Sequence, residues 1–195
     1  MTGVISIGSH WGEEFEGWLS QGCKLFLFFE PVKANFNKLK RLMQNRSYCF
    51  CLNFAIGDMN GEVEMFIETE HMGKSCSILE PTLHKEQYPD IIFHSKEIVD
   101  IIRLDDFMEL DGSEIFRICD HLHIDTQGYE MHVLRGATRT LDQIKTINIE
   151  VYKRELYKDC AMFDDVDKFL TEKGFKLTSI YWRGFTWGDA KYERV

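Results

Sequence analysis

The chain has 195 residues, 44% of them apolar, which suits one domain that buries roughly 70% of the surface of its unfolded chain. Its net charge of −9 argues against nucleic acid as a partner, because a nucleic-acid footprint needs a basic stripe, and it fits neutral acceptors better. The longest apolar run, residues 25–29, is far shorter than the ~20 residues of a membrane span, and no signal peptide precedes it. We therefore expect a single domain over residues 1–195 that does not span a membrane.

Strand and helix signals alternate from the start of the chain, which favours a parallel sheet covered on both faces. The first strand is predicted at residues 4–7, and an apolar stripe then predicts a helix that ends near Gly22. A continuous apolar run predicts a second strand at residues 24–29, and helical spacing predicts a helix that opens near Pro31. A third strand is expected at residues 48–55.

The middle of the chain is less regular. A turn at residues 58–61 leads into a predicted strand at residues 62–67. The pattern then dissolves over residues 71–89, a long polar segment that we interpret as a mobile lid over a pocket, with a plain surface loop as the alternative. Further strands are predicted at residues 97–104 and 118–124.

The last third of the chain returns to alternation. An apolar stripe that begins at Val133 predicts a helix, and a strand follows at residues 146–152. A second amphipathic helix stops at Gly174. The chain closes with a predicted pair of strands at residues 176–182 and 189–194, and it contains no internal repeat.

An acid follows the strand predicted at residues 118–124. In an open α/β sheet, ligands bind beyond the carboxyl ends of the strands, so Asp125 is expected to face a pocket rather than the core. Because side chains alternate along a strand, His121, His123 and Asp125 share one side. At ~3.3 Å per residue, His121 and Asp125 are ~13 Å apart and cannot share an ion, which leaves only His123 to join Asp125.

Two glycines and a glutamate mark the ends of the first two predicted strands. Gly8 and Gly12 bracket a tight turn into a helix, where missing side chains let a ligand approach the backbone. A nicotinamide cofactor is disfavoured because its fingerprint needs Gly-x-Gly-x-x-Gly. Glu30 ends the second strand, where a carboxylate can accept both hydroxyl protons of a ribose; a solvated acid at a helix start is the alternative.

Blocks along nearly the whole chain resemble, in order, the FkbM family of S-adenosylmethionine-dependent methyltransferases. The blocks are residues 6–14, 29–31 with 35–36, 53–58, 75–77, 123–137 and 149–150. Two positions depart from the family pattern, since Ser6 replaces an acid and His123 replaces a lysine. The resemblance implies an α/β fold of class I methyltransferase (Rossmann-like) type, a three-layer sandwich whose mostly parallel seven-stranded sheet has an antiparallel strand near the end.

The cofactor implied by the resemblance is S-adenosyl-L-methionine. Backbone around Gly8, Ser9 and His10 would hold its methionine part, and Glu30 would bind its ribose. The end of the third strand would flank the adenine. The expected cofactor-binding residues are Gly8, Ser9, His10, Gly12, Glu30, Pro31, Ala55, Ile56, Asp58, Ser77, Asp125 and Gln127.

Asp125 is the first candidate for the catalytic base. Methyl transfer is an in-line displacement, so the base only needs to accept the hydroxyl proton of a positioned acceptor. The alternative is that Asp125 merely hydrogen-bonds the cofactor. His123 is a second base candidate, with a packed core histidine as the alternative. Glu150, at the end of the neighbouring strand, could hold a divalent metal together with Asp125, which we do not favour.

The leading hypothesis for function is an O-methyltransferase that acts on a sugar hydroxyl of a glycan or glycolipid. The sugar preference rests on the family resemblance. Aromatic residues near the end of the chain could stack on a sugar ring or pack the final hairpin: Tyr181, Trp182, Phe185 and Trp187. The alternative hypothesis is a catalytically inactive cofactor-binding module that supports a glycan-modifying enzyme, since Ser6 and His123 depart from the pattern.

The six cysteines and the start of the chain bear on location and context. The cysteines form no CxxC pair and most lie in apolar runs, so we interpret them as reduced core residues of a cytoplasmic protein. The first strand begins only three residues into the chain. We therefore expect either a domain cut from a longer polypeptide, fused to or acting with glycosyltransferase domains, or a compact family member.

Overall fold

Ten strands and six α-helices make up the fold in a computed structural model that describes every residue from 1 to 195. The strands are β1 (Gly3–Ile7), β2 (Leu25–Phe29), β3 (Cys49–Leu52), β4 (Ala55–Ile56), β5 (Gly61–Glu68), β6 (Phe93–Ile102), β7 (His121–Ile124), β8 (Thr146–Tyr152), β9 (Phe175–Arg183) and β10 (Trp187–Arg194). The α-helices are α1 (Phe15–Ser20), α2 (Lys33–Met43), α3 (Leu83–Gln87), α4 (Leu104–Phe107), α5 (Glu130–Gly136) and α6 (Phe163–Glu172). Two 3₁₀ helices span Ser113–Ile118 and Thr140–Gln143.

Seven of the strands form one sheet in the order β3-β2-β1-β7-β8-β10-β9. Strand β1 pairs in parallel with β2 and β7, and β7 pairs in parallel with β8. Only β10 is antiparallel to its neighbours, β8 and β9. This arrangement confirms the expected mostly parallel seven-stranded sheet with one antiparallel strand near its end.

Both faces of the sheet are covered, which explains the uninterrupted burial of β1 and β2. Alternate side chains of these strands enter two different apolar clusters. Val4 and Phe28 pack with Trp18 of α1 on one face, whereas Ile5 and Leu27 belong to the cluster on the other face. Helices α5 and α6 cover that second face with Val133, Leu134, Val166 and Leu170. The expected three-layer sandwich is therefore present.

The strand predicted at residues 48–55 is divided between two sheets. Its first part is β3, but Ala55–Ile56 form β4, which belongs to a separate three-stranded sheet in the order β4-β6-β5. Asn53 lies at the break and donates its side-chain amide to the carbonyl oxygens of Glu30 (2.9 Å) and Pro31 (2.7 Å). These bonds end the pairing of β3 with β2 and turn the chain away from the large sheet.

Other predicted boundaries were also wrong. The strand predicted at residues 97–104 is β6, which spans Phe93–Ile102. The strand predicted at residues 118–124 begins only at His121, because the chain before it forms the 3₁₀ helix Ser113–Ile118. The first helix, predicted to end near Gly22, is confined to Phe15–Ser20 because the preceding residues form a tight turn around Gly12, whose φ is +78°.

Residues 71–91, called the cover segment below, are not fully irregular. The segment contains α3, and Ser77 pairs with Phe66 of β5 while Pro81 pairs with Tyr157. Ser75, Cys76 and Ser77 are buried. The segment therefore packs in part on the rest of the fold, and its mobility stays a prediction. The short α3 was missed because its polar sequence carries no apolar stripe.

The chain has neither a helix suited to cross a membrane nor a disulfide bond. None of the helices combines the length and the apolar character that crossing a membrane would require. All six cysteines are free thiols. Four of them are buried: Cys23, Cys76, Cys119 and Cys160.

Candidate functional site

A cavity of about 420 Å³ lies beyond the carboxyl ends of the central strands. This edge is the usual ligand crevice of an open α/β sheet, and the volume is typical of ligand pockets. The cover segment forms one wall of it through side chains that include His84 and Tyr88. Most of the predicted cofactor-binding residues line this cavity: Gly8, Ser9, His10, Glu30, Pro31, Ala55, Ile56, Asp125 and Gln127.

Three predicted residues lie outside the cavity lining, namely Gly12, Asp58 and Ser77. A Cβ on Gly12 would lie 2.9 Å from the Met43 side chain, so this glycine allows the turn to pack on α2. Asp58 pairs with His132 at 2.9 Å. Ser77 donates its hydroxyl to the carbonyl oxygen of Gln127 at 2.6 Å and so supports a residue that does line the cavity.

The turn after β1 touches the end of β7. Gly8 has a φ of +75°, and a Cβ placed on it would lie 1.8 Å from the carbonyl oxygen of Asp125, so no side chain fits there. Ser9 donates its hydroxyl to the carbonyl oxygen of Ser6 at 2.9 Å and lies 3.1 Å from the Ser6 hydroxyl. Ser6, where the family pattern has an acid, is thus part of the hydrogen bonding of the turn.

Glu30 is fixed at the end of β2 by backbone amides. Its carboxylate accepts the N–H of His10 at 2.8 Å and the N–H of Val32 at 2.9 Å, and the residue is 4% exposed. Burial raises the pKa of Glu30 to about 7, although both hydrogen bonds act in the opposite direction. A carboxylate has about four acceptor positions, so capacity is left for two hydroxyl donors from the cavity.

Asp125 has one oxygen bound and one free. Its Oδ1 accepts the side-chain amide of Gln127 at 2.7 Å. Its Oδ2 makes no hydrogen bond within the protein and is accessible, so it opens into the cavity that Asp125 lines. Burial raises the pKa of Asp125, against the opposing effects of nearby His123 and the Gln127 hydrogen bond. This free oxygen is suited to accept a proton.

His123 also lines the cavity, but it is partly a packing residue. Its ring meets the Trp18 ring edge-on, with the centroids 5.3 Å apart. The Nδ1 atom is buried and has no hydrogen-bond partner. His123 therefore lies on the cavity side of β7 together with Asp125, as expected from the alternation of side chains. Its role as a second base stays a prediction.

Gln127 connects Asp125 to a second acid. The residue adopts a left-handed backbone, with φ of +54°, and its side-chain amide also donates to Glu150 Oε2 at 3.0 Å. Its side-chain oxygen accepts the hydroxyl of Tyr157 at 2.9 Å. Glu150 further accepts the hydroxyl of Tyr152. One amide group thus lies between two carboxylates and sets the orientation of both.

The acids around Gln127 favour their protonated forms. Burial, together with the charges of Asp125 and Glu130, raises the pKa of Glu150 well above its ordinary value. Burial also raises the pKa of Glu130 to about 7, although its Oε1 accepts the backbone N–H of Thr126 at 2.9 Å. Glu130, which holds the backbone beside the cavity, therefore titrates near neutrality.

The predicted metal pair, Asp125 and Glu150, is bridged by the side-chain amide of Gln127, which donates to both carboxylates. No group of three or more His, Cys, Asp or Glu side chains has the geometry to hold a metal ion. These two residues alone give an incomplete coordination shell.

Several residues of the site were missed by the sequence reasoning because contacts distant in sequence bring them in. Tyr157, which lies outside the cavity lining between β8 and α6, donates its hydroxyl to Gln127 across 30 residues. Tyr88 of the cover segment accepts the indole N–H of Trp187 at 3.0 Å. No local signal in the sequence marks Tyr88, Tyr157 or His84.

The four aromatic residues near the end of the chain lie in three different environments. Trp187 lines the cavity. Trp182 instead packs edge-on against Phe163, with the ring centroids 5.6 Å apart. Tyr181 and Phe185 are 66% and 91% exposed. Only Trp187 is therefore placed to contact a ligand of this cavity.

Solved structures with a similar fold are Rossmann-like proteins and methyltransferases. A protein of the NADB-Rossmann superfamily from Streptococcus agalactiae has a TM-score of 0.53 and 13% identity, over 99% of this chain and 62% of that one. An rRNA methylase from Streptococcus thermophilus has a TM-score of 0.52 and 10% identity, over 100% of this chain and 87% of that one. A putative tRNA methyltransferase from Streptococcus pneumoniae has a TM-score of 0.52 and 11% identity, over 99% and 64%.

These likenesses show that the chain has a Rossmann-like fold. The chain spans less than two thirds of the Streptococcus agalactiae and Streptococcus pneumoniae proteins. Residues 6–177 match the sequence profile of the methyltransferase FkbM domain, so the chain belongs to the FkbM methyltransferase family. A comparison with curated proteins finds no match.

Proposed function

We propose that this protein transfers the methyl group of S-adenosyl-L-methionine to a hydroxyl oxygen of a sugar. The observation that carries the proposal is the free Oδ2 of Asp125, which opens into the same cavity as the Glu30 carboxylate. The protein would act on a small-molecule or glycan acceptor in the cytoplasm. Glycosyltransferase domains would be fused to it or act with it, and neither nucleic acid nor a membrane span is part of the proposal.

The cofactor part of the proposal rests on Glu30 and the Gly8 turn. Strands β2 and β7 flank β1, so Glu30 and Asp125 lie about 10 Å apart at ~4.8 Å per strand. A ribose bound by Glu30 would therefore leave the reactive end of the cofactor near Asp125. A solved structure of the Streptococcus pneumoniae putative tRNA methyltransferase contains S-adenosyl-L-methionine, and it shares this fold with a TM-score of 0.50 and 12% identity, over 98% of this chain and 65% of that one.

When bound, S-adenosyl-L-methionine supplies a methyl group that is already activated on a sulfonium. The protein then has to position the acceptor oxygen and receive its proton. Asp125 Oδ2 would receive that proton while Gln127 holds Oδ1. Burial raises the pKa of Asp125, which makes its ionised form a stronger base than an ordinary aspartate. Turnover should therefore increase as Asp125 ionises.

The sugar part of the proposal is supported by the far end of the cavity. Trp187 presents an aromatic ring beside Tyr88, a surface on which the apolar face of a sugar ring can pack. Arg183 and Asp189, which form an ion pair at 3.0 Å, lie at the same end and offer polar groups to sugar hydroxyls. The preference for a sugar over other hydroxyl compounds comes from the family resemblance.

A labelled-methyl assay tests the proposal. The protein is incubated with S-adenosyl-L-methionine carrying an isotope-labelled methyl group and a panel of monosaccharides, glycans and glycolipids. We expect a labelled methyl ether on one sugar class, formed by the wild type and lost in Asp125→Asn. Cofactor binding without turnover of any acceptor would favour the inactive cofactor-binding module. Methylation of added RNA but of no sugar would contradict the proposed acceptor class.

A further inference from the structure

The imidazole of His10 joins the turn after β1 to the cover segment. Its Nδ1 lies 2.7 Å from Glu13 Oε1, and its Nε2 lies 2.8 Å from the carbonyl oxygen of Met72. A carboxylate and a carbonyl oxygen are acceptors only, so both ring nitrogens must donate. A neutral imidazole carries only one N–H. The two contacts therefore require His10 in its charged, doubly protonated form.

The backbone on both sides of this contact is left-handed. His10 has a φ of +46° and Met72 a φ of +63°, values that are uncommon for residues other than glycine. The turn continues at Gly73, where a Cβ would lie 2.7 Å from Asn35 Nδ2. Such conformations persist only where the surroundings hold them, and they concentrate at functional contacts. Here they direct the Met72 carbonyl oxygen toward His10.

His10 also positions Glu30, the residue proposed to bind the ribose of the cofactor. The backbone N–H of His10 donates to Glu30 Oε2 at 2.8 Å, while its ring holds Met72. His10, Glu30 and Gly73 all line the cavity. The contact therefore fixes the cover segment on the side of the cavity where Glu30 lies.

The charges around His10 favour its protonated form. Burial alone would lower the pKa of His10, but the hydrogen bonds to Glu13 and Met72 and the charges of Glu13 and Glu30 raise it overall. Although burial opposes it, the hydrogen bond with His10 lowers the pKa of Glu13 to about 2. From the cover segment, Lys74 Nζ lies 3.4 Å from Glu13 Oε1. On the remaining side, Trp11 stacks on the imidazole with the centroids 4.4 Å apart, and Lys38 lies over the Trp11 ring.

We propose that His10 is a positioning residue whose protonated ring clamps the cover segment over the cofactor end of the cavity while its backbone fixes Glu30. The inference rests on the proposed function, because the clamped cavity is the one assigned to S-adenosyl-L-methionine. The clamp is present below the pKa of His10 in the folded protein and is lost as the pH rises through it. Release of the cofactor should therefore become faster at alkaline pH.

The contact itself can be tested without any ligand. Nitrogen-15 NMR of histidine-labelled protein reports the protonation of each ring nitrogen. We expect His10 to carry two N–H groups at pH 7 and its pKa to fall in Glu13→Gln, where the charged partner is lost. A neutral His10 ring at pH 7, or an unchanged pKa in Glu13→Gln, would overturn the clamp.

The effect on the cofactor is measured by stopped-flow dissociation of S-adenosyl-L-methionine from the full chain. Loss of a charged hydrogen bond predicts dissociation roughly tenfold faster in His10→Gln, with the alkaline acceleration of the wild type abolished. Glu13→Gln should show that acceleration at lower pH. The matched control is His94→Gln, because His94 pairs with Glu70 outside the cavity lining. We expect the control to behave as the wild type.

The outcomes separate this inference from the proposed function. Equal dissociation rates in the wild type and His10→Gln at all pH values would overturn the clamp while cofactor binding stands. Absence of S-adenosyl-L-methionine binding in the wild type would contradict the proposed function and the positioning role with it, and the NMR result would still show whether the His10 contact exists.

Discussion

The two halves of the cavity are built differently. At the ends of β1 and β2, the functional groups are held by backbone amides, as Glu30 is by the N–H groups of His10 and Val32. At the ends of β7 and β8, the groups are held by side chains from separate segments, as Gln127 joins Asp125, Glu150 and Tyr157. The first half is suited to hold a ligand, and the second to move a proton.

Because of this difference, substitutions in the two halves should affect different properties of the protein. A group fixed by backbone amides can be truncated without disturbing its supports, so changes there should alter affinity. A buried network of acids shares hydrogen bonds and charges, so changes there should alter turnover and pH dependence. Measurements on both halves therefore test whether the comparison holds.

The largest expected effect belongs to Asp125→Asn. The amide keeps the shape of the side chain but cannot accept the acceptor's proton, so kcat should fall by roughly 10²-fold or more. Affinity for S-adenosyl-L-methionine should change little, since the cofactor-holding half is untouched. Steady-state kinetics combined with calorimetric titration gives both values. Near-normal kcat would limit Asp125 to positioning and make His123 the base to test.

Glu30→Ala should weaken S-adenosyl-L-methionine binding by ~1.5 to 3 kcal/mol, because charged hydrogen bonds to two hydroxyls are lost. The fold should be retained, since the backbone N–H groups of His10 and Val32 can bond water instead. Calorimetric titration measures the change, and Glu62→Ala, an exposed acid on β5, is the matched control. Unchanged affinity in a folded Glu30→Ala protein would remove Glu30 from the cofactor site.

The buried acid Glu130 should make stability depend on pH. Its pKa is about 7 in the folded chain, against an ordinary value of 4.5, so the folded state holds the proton more tightly. The protonated Glu130 side chain contributes fully to stability below about pH 4.5. This contribution is lost as the pH rises from 4.5 through 7, because the unfolded chain releases the proton first. As the pH rises from about 4.5 to 7, the wild type should therefore lose about 3 kcal/mol of unfolding free energy relative to Glu130→Gln.

Denaturant titrations of wild type and Glu130→Gln at several pH values measure this loss. The exposed Glu62→Gln should show no such trend. A difference between Glu130→Gln and wild type that stays constant with pH would mean that Glu130 titrates as an ordinary acid and would weaken the contrast between the two halves.

The smallest effect is expected from chelation. Because Gln127 already bridges Asp125 and Glu150, methyl transfer should survive EDTA with kcat unchanged. The assay is repeated after dialysis against chelator and again after addition of magnesium or manganese. Activity that disappears with EDTA and returns with either ion would show that these carboxylates hold a catalytic metal.

The half of the site that backbone amides hold could be predicted from the sequence, because the residues that mark it stand directly after predicted strands. Glu30 follows an apolar run and Gly8 follows the first strand, so position along the chain fixes their place at the sheet edge. The order of strand and helix signals likewise predicted most of the large sheet. The break between β3 and β4 was missed because it depends on Asn53 bonding to the chain after β2.

The second half was predicted only in part. Asp125 and Glu150 lie at strand ends, which alternation along the chain reveals. The bridge made by Gln127 depends on its left-handed backbone and on Tyr157, which reaches it because β8 lies parallel to β7 in the sheet. The cover segment was recognised by its irregular composition, but its burial depends on pairing with β5 and Tyr157. Contacts of this kind leave no periodic trace in the sequence.

The central claim is that one cavity holds the cofactor between Glu30 and Asp125. A crystal structure with S-adenosylhomocysteine tests it most directly. We predict both ribose hydroxyls hydrogen-bonded to the Glu30 carboxylate and the sulfur atom directed toward Asp125 Oδ2. A product molecule bound outside this cavity, or a ribose that does not contact Glu30, would contradict the account.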